Sequence, residues 1–420
     1  MMNPWKSLKA WIRNNRKTLK VSLLVSLAIT LFSYVVANSA YPMAGEYAAQ
    51  KEISDFKKFF GQQIDNVPDS LLFINVCYDK QLTPFEEEGM PVGDLVITDR
   101  QKLLQLLTIA KEADNYRYIF MDVLLEKGIE TPTDSALFQT IASMDRLVIP
   151  IHEGVTLSDR RLADKAANAD YLTTWKQPTF AHYQFLHGDT IPSVALKMYA
   201  DRNHLEGYGI KPHCGGLWYT DNGRLCQNGV TLFIDVMISG RLINEESQKR
   251  ERNYIYLGAD LLDLDSIIPV KEQIEDKILV IGDFKSDTHT TYVGVQPGSA
   301  ICINAFLMLM NGKHLVNWMA VLLLFIVYTC VGTFYLRGTS FQTLFANPWI
   351  GVLMSFLSTA SLFFVIAIIA YWNGIAFNMW VPTTIYSFID TYVQKRNLYN
   401  KKKNEKTLVR NAPKSGAQHG

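Results

Sequence analysis

Residues 276–315 have the sequence DKILVIGDFKSDTHTTYVGVQPGSAICINAFLMLMNGKHL, which gives the clearest indication of the fold. It begins with a short apolar run, Ile278–Ile281, whose length and β-branched content are typical of a strand buried on both faces. The chain then becomes polar, and after Pro297-Gly298 an apolar pattern over Ala300–Leu309 predicts a helix. A buried strand, a polar loop and a helix in this order form the repeating unit of an α/β domain.

The same alternation runs upstream of this stretch. Helical patterns lie at 98–112, where Thr98 or Asp99 can cap the helix, and at 133–143. Residues 153–228 are less regular and are predicted to be an insertion or a cap. Further strand-like apolar runs occur at 71–78, 118–125, 147–152 and 230–236. The expectation is therefore an α/β domain with a largely parallel sheet across residues 39–316.

Four long apolar runs predict transmembrane helices, one before this domain and three after it. The predicted spans are 21–38, 317–336, 349–371 and 375–393. A cleaved signal peptide is the alternative for the first run, because Ala37-Asn38-Ser39-Ala40 resembles a cleavage site. A buried helix of a soluble domain is the alternative for the fourth run, which contains Pro382 and Asp390.

Charge is distributed unevenly along the 420 residues, although the net charge is only +1. Residues 1–38 carry six basic and no acidic residues, and residues 317–420 carry nine basic and two acidic ones. Residues 39–316 carry 26 basic and 38 acidic residues, a net charge of −12. Because short basic flanks stay in the cytoplasm, the pattern predicts a multi-pass protein of the bacterial inner membrane. Its basic segments 1–20 and 394–420 are then cytoplasmic and its acidic domain is periplasmic or extracellular.

A family resemblance supports this layout. Three further stretches accompany residues 276–315 in a known order: FINVCYDKQL at 73–82, ITDRQKLLQLL at 97–107 and RYIFMDVLLEKGIETPTDSALFQTI at 117–141. Together they resemble the type 2 CHASE domain, an extracytoplasmic sensor module of bacterial signalling receptors. The resemblance covers about residues 40–316, and that family typically has one span before the sensor and three after it.

The resemblance also implies candidate ligand-binding residues: Asp79, Arg100, Asp122, Asp287, Thr291 and Asn304. The three aspartates would follow strands, at the sheet edge where open α/β folds bind ligands. Their alternative role is to cap the helices or loops that follow. The chain departs from the family where Cys302 replaces the usual histidine and Tyr292 the usual proline. The usual Trp-Pro pair before the arginine is also missing, so a shared ligand does not follow.

The spacing of the cysteines and histidines indicates neither a catalytic site nor a metal site. Cys214 and Cys226 flank a predicted hairpin at Asp221-Asn222-Gly223, and they are either disulfide-bonded or free thiols. The histidines form no close ligand pair at helical spacing, so no metal site is predicted. No catalytic residue and no cofactor are predicted either.

These observations lead to a non-enzymatic sensor as the expected function. It would detect a small molecule or envelope ligand and pass the signal through its spans to a separate effector protein. The 27-residue tail 394–420 cannot build an output domain and is expected to act as a topology anchor or to bind anionic lipid. Receptors of this layout often form homodimers, and no nucleic acid is expected as a partner. The alternatives are a structural or assembly protein that binds envelope partners, and a periplasmic hydrolase using Asp122 and Asp287.

Overall fold

The computed structural model describes residues 13–38, 46–60, 68–87, 90–170, 182–188, 190–205, 207–231, 253–262, 269–291, 294–338, 347–372 and 378–411. These residues divide into two compact units. The first unit contains the helices near the two chain ends, and the second contains Asn38–Pro42 and Gln50–Val316.

The described helices, in chain order, are α1 Arg16–Ala37, α2 Glu46–Phe59, α3 Arg100–Ala113, α4 Asp134–Ala142, α5 Val194–Asn203, α6 Val270–Gln273, α7 Gly298–Met310, α8 Trp318–Leu336, α9 Pro348–Trp372 and α10 Trp380–Asn411. The strands are β1 Leu71–Asn75, β2 Lys80–Glu87, β3 Met90–Thr98, β4 Tyr118–Asp122, β5 Leu147–Ile151, β6 Ala166–Asn168, β7 His182–Gln184, β8 Leu186–His187, β9 Ile191–Pro192, β10 Ile210–His213, β11 Trp218–Asp221, β12 Arg224–Cys226, β13 Gly229–Thr231, β14 Tyr254–Tyr256, β15 Ile278–Gly282, β16 Thr288–Thr291 and β17 Gly294–Pro297.

A six-stranded sheet forms the centre of the second unit, with the strand order β14-β1-β15-β4-β5-β6. Every neighbouring pair is parallel. The central strands β1 and β15 are buried along their whole length, which explains their unbroken apolar sequences. The predicted α/β class with a largely parallel sheet is confirmed.

Helices cover both faces of this sheet. On one face, α3 and α4 contribute Leu103, Leu107, Leu137 and other apolar residues to a core shared with alternate strand residues such as Ile281. On the other face, α5 and α7 pack against each other and against the central strands. Asp99 begins α3 by accepting hydrogen bonds from the backbone amides of residues 101 and 102, so the capping expectation holds.

Three features of the domain were not predicted. Strands β2 and β3 form an antiparallel hairpin directly before α3. Strands β6 and β14 extend the parallel sheet at its two edges. The predicted strand 230–236 is only partly described: β13 pairs with β7 outside the main sheet, and residues 232–236 lie outside the described residues.

Four helices, α1, α8, α9 and α10, pack together in the first unit. By length and composition, three helices of the described chain could cross a membrane: Arg16–Ala37, Trp318–Leu336 and Trp349–Ala370. These helices agree with the first three predicted spans. We conclude that the chain is a membrane protein. The fourth predicted span is not among them, because α10 continues as a polar helix to Asn411 and its predicted start, residues 375–377, lies outside the described residues.

Candidate functional site

The candidate site lies at the carboxyl edge of the parallel sheet, between the neighbouring strands β4 and β15. Asp122 is the last residue of β4, and its register partner is Gly282, the last residue of β15. A Cβ atom on Gly282 would lie 3.3 Å from the Asp122 Cβ and 3.3 Å from the Ser299 Oγ. Glycine therefore leaves room for Asp122 beside the first turn of α7.

Asp287 approaches the same place from the loop that follows β15. Its Oδ1 atom lies 3.1 Å from Nε2 of His289. A Cβ atom on Gly298 would lie only 2.7 Å from Oδ2 of Asp287, so the carboxylate rests against the first residue of α7. The N-cap residue Pro297 makes no side-chain capping hydrogen bond, and a negative charge close to the helix N-terminus is favourable.

The two aspartates are electrostatically unlike. Burial, together with the negative charge of Asp287, raises the pKa of Asp122 well above its ordinary value. The side chain of Asp287 is 46% exposed, so this carboxylate is reached by water. The site therefore combines a carboxyl group that holds its proton more tightly than usual with a second carboxyl side chain that water reaches.

Cys302 and Tyr183 form the inner wall behind Asp122. Both side chains are buried, and the Tyr183 hydroxyl lies 3.8 Å from the Cys302 Sγ. Burial raises the pKa of the Cys302 thiol, and the nearby charge of Asp122 raises it further. The thiol is therefore neutral and is not activated as a nucleophile.

This arrangement offers hydrogen-bond donors and acceptors to a small polar ligand. A protonated Asp122 can donate, while Asp287 can accept or attract a positive charge. His289 can do either, according to its tautomer. Within the described segments, no cluster of three or more histidine, cysteine, aspartate or glutamate residues could hold a metal ion.

Asp79 and Arg100 have partners other than Asp122 and Asp287. Asp79 follows β1 and is buried; its carboxylate accepts from Lys102 Nζ at 2.5 Å and from the backbone amide of Gly258 at 3.1 Å. Both oxygen atoms are thereby engaged in contacts that hold α3 and the segment after β14. These contacts are structural, but they differ from the expected alternative, in which the aspartate caps the helix or loop that follows it.

Arg100 begins α3 on the opposite face of the sheet from α7. Its side chain is 2% exposed, donates from Nη2 to the Leu124 carbonyl at 3.1 Å, and pairs at 3.9 Å with Asp134. Nε and Nη1 have no hydrogen-bond partner among the described residues. Burial lowers the pKa of Arg100, opposed by the charge of Asp134.

Thr291 and Asn304 make local contacts. The Thr291 Oγ1 donates to the Gly294 carbonyl at 2.7 Å and closes the turn between β16 and β17. Asn304 is buried on α7, where its Nδ2 donates to the Ala300 carbonyl at 2.9 Å. Of the six candidates, the structure therefore brings Asp122 and Asp287 together.

Cys214 and Cys226 are not joined by a disulfide in the structure. The predicted hairpin is present, with Asn222 and Gly223 at φ 48° and 77°. However, β10 and β12 lie on opposite sides of β11. Two strand spacings separate their backbones by about 9–10 Å, beyond the reach of a disulfide. Burial also raises the pKa of Cys226 to about 12.

Sequence reasoning missed His289 and Ser299 as neighbours of the aspartates, and Tyr183 as a contact of Cys302. His289 follows Asp287 by two residues, and this proximity was a readable signal. Tyr183 comes from the irregular region 153–228, where neither periodicity nor motif indicated a contact with α7.

Comparisons with protein-family models, with curated proteins and with solved structures found no match to this chain.

Proposed function

We propose that the chain is a membrane-anchored sensor of the type 2 CHASE kind, whose α/β domain binds a small polar ligand between Asp122, Asp287 and His289. The observation that carries this proposal is the geometry at the carboxyl edge of the sheet, where the half-buried Asp122 ends β4 beside Gly282 and the 46% exposed Asp287 lies 3.1 Å from His289. The raised pKa of Asp122, caused by burial and by the charge of Asp287, supports it. Shifted carboxyl groups at the carboxyl edge of a parallel sheet are typical of ligand sites.

The proposal includes four spans, with both termini in the cytoplasm and the α/β domain outside the inner membrane. The contacts of α10 support a fourth span. Its Asp390 is buried and accepts from Ser355 Oγ of α9, and its Tyr386 hydroxyl donates to the Tyr328 carbonyl of α8 at 2.7 Å. Polar groups that point into the bundle are compatible with a membrane span, because lipid then never meets them.

A separate effector protein would receive the signal at the polar half of α10. Lys395, Arg396 and Lys401–Lys403 are exposed on this half. Such a helix gives a basic surface for an acidic protein partner or for anionic lipid. Ligand binding would act by shifting the population of two states of the receptor, which requires tighter binding to one of them.

Thermal melts of the full chain in detergent, against a metabolite library, test the ligand site. A ligand should raise the melting temperature of the wild type, and Asp122→Asn and Asp287→Asn should each abolish the shift. Asp164→Asn, an exposed residue elsewhere in the domain, is the matched control and should respond like the wild type.

The sensor proposal fails if no metabolite shifts the melt while a protein partner co-purifies in stoichiometric amount. That result would favour the structural or assembly alternative. A shift that survives both aspartate substitutions would instead retain the sensor but move its site elsewhere.

Reporter fusions test the proposed spans. A green fluorescent protein fused after residue 411 should fluoresce, and a fusion after residue 372 should stay dark, because this reporter folds only in the cytoplasm. Alkaline phosphatase at the same positions should show the opposite pattern. Equal fluorescence at both positions would exclude the fourth span.

A further inference from the structure

A second polar pocket opens at the amino edge of the same sheet, opposite the candidate site. Its volume is about 400 Å³, within the range of small-ligand pockets. Residues that precede β4, β5 and β15 form its walls together with the end of α5. No motif of the sequence analysis marked this region.

Three arginines converge on this pocket: Arg117, Arg146 and Arg202. In a domain with a net charge of −12, such a concentration of guanidinium groups is unexpected. Arg146 lies over the Tyr116 ring, 4.5 Å from its centroid, and donates to the Tyr116 carbonyl at 2.8 Å. It is thereby held in one orientation, as a binding arginine must be.

Arg202 has spare hydrogen-bonding capacity in the pocket. Its Nε atom is buried and has no acceptor within reach among the described residues. A buried guanidinium donor without an acceptor is costly. An oxygen atom of a ligand would satisfy it, and guanidinium groups bind carboxylate and phosphate oxygens through paired hydrogen bonds.

The aspartates of the pocket do not exclude an anion. Asp114 pairs with Arg146 and Asp276 with Arg117, but these two carboxylates are 77% and 69% exposed. The exposed contact between Arg146 and Asp114 is therefore weak. The Arg117–Asp276 pair is bidentate, so an incoming anion has to compete with Asp276 for that guanidinium group. Asp201 is the less exposed one, and its charge is engaged by the Tyr118 hydroxyl at 2.5 Å and by Lys197 at 3.5 Å.

We propose that this pocket binds a small oxyanion, a carboxylate or phosphate compound, through Arg202 with Arg117 and Arg146. The ligand oxygen atoms would take the free Nε donor of Arg202 and displace Asp276 and Asp114 from the other two guanidinium groups. This site is separate from the Asp122 site and does not depend on its function.

Isothermal titration of the full chain in detergent tests the pocket, with inorganic phosphate, succinate and chloride as probes at equal ionic strength. Saturable binding of phosphate or succinate is expected, and the preferred probe distinguishes phosphate from carboxylate recognition. Arg202→Gln should weaken it at least tenfold. Arg161→Gln removes an arginine that pairs with Asp159 outside the pocket and should leave binding unchanged.

A second variant is expected to tighten anion binding, which misfolding could not explain, and it is therefore tested beside Arg202→Gln. Asp276→Asn frees Arg117 and should tighten binding severalfold, while Asp122→Asn should not alter it. The proposal is overturned if phosphate and succinate bind no better than chloride, or if Arg161→Gln weakens binding as much as Arg202→Gln. It is also overturned if Asp276→Asn weakens binding.

Discussion

The Nε2 atom of His314 lies 2.9 Å from Oδ2 of Asp221, and both side chains are buried although 93 residues separate them. The Tyr199 hydroxyl donates to the same oxygen at 2.9 Å. Burial alone would raise the pKa of Asp221, but these hydrogen bonds outweigh burial and lower it. The contact joins the β11–β12 hairpin to the end of the α/β domain.

The His314–Asp221 contact predicts a loss of stability in acid. Because the folded-state pKa of Asp221 is lowered, its contribution is complete above the unfolded-state pKa, about 3.9, and is lost as the pH falls through the folded value. His314→Ala should lower the free energy of unfolding by about 1–3 kcal/mol at neutral pH. It should also make the melting temperature fall less steeply as the pH is lowered. His213→Ala, whose histidine bonds to neutral Thr220, is the control and should keep the wild-type acid slope. Melting temperatures from pH 3 to 7 measure both effects, and an unchanged slope in His314→Ala would contradict the prediction.

Asp122→Asn should stabilise the protein, increasingly so as the pH rises. A raised folded-state pKa means that stability falls with increasing pH between the unfolded and the folded value. Asparagine removes this penalty, about 1.4 kcal/mol for each unit by which the pKa is raised. Denaturant unfolding at pH 4, 6 and 8 should show little difference at pH 4 and the largest at pH 8. Asp164→Asn should show no such trend; a destabilised Asp122→Asn at pH 8 would argue against a protonated Asp122.

Arg100 and Asp134 should respond unequally to substitution. After Arg100→Met, Asp134 still accepts from the Thr131 amide at 2.9 Å and the Thr131 hydroxyl at 2.8 Å. These two hydrogen bonds still stabilise the buried Asp134 carboxylate, so the cost should lie below about 3–5 kcal/mol, the value expected when a buried charge loses its partner. Asp134→Leu removes those bonds and leaves the buried guanidinium of Arg100 without its counter-charge, at about 3–5 kcal/mol. Urea unfolding compares the two, and equal costs would contradict this asymmetry.

Gly332 on α8 should resist enlargement because α1 approaches it closely. A Cβ atom there would lie 2.5 Å from the Ser22 Oγ, which itself donates to the Thr329 carbonyl at 2.8 Å. Gly332→Ala should lower stability in detergent by about 1–3 kcal/mol through overpacking. The double variant Gly332→Ala with Ser22→Gly should recover most of the stability that Gly332→Ala alone loses. If the double variant is no more stable than Gly332→Ala alone, this contact is not the cause.

The sequence predicted the parallel sheet well, because strands buried on both faces leave unbroken apolar runs such as Leu71–Asn75. It also predicted that Asp79, Asp122 and Asp287 would follow strands at the carboxyl edge of the sheet. Asp122 and Asp287 are close enough to interact there, whereas Asp79 contacts Lys102 and Gly258. It failed for β14 and β6, each of three residues, because such short segments carry no periodicity. The oxyanion pocket could not be predicted from the sequence for a related reason. Its arginines lie in turns and at the ends of helices and strands, where no sequence spacing connects them.

The length of α10 has a mechanical consequence. Its 32 residues extend about 48 Å, well beyond the roughly 30 Å of hydrocarbon in a bilayer. The half that contains Asp390 is clasped by neighbouring helices, whereas Leu398 and Tyr399 face outward. Because α10 is one continuous helix, a rotation of its first half about the helix axis would rotate its second half by the same angle. A small rotation of the half that packs against the neighbouring helices would therefore change the direction in which the lysine side chains of the other half face.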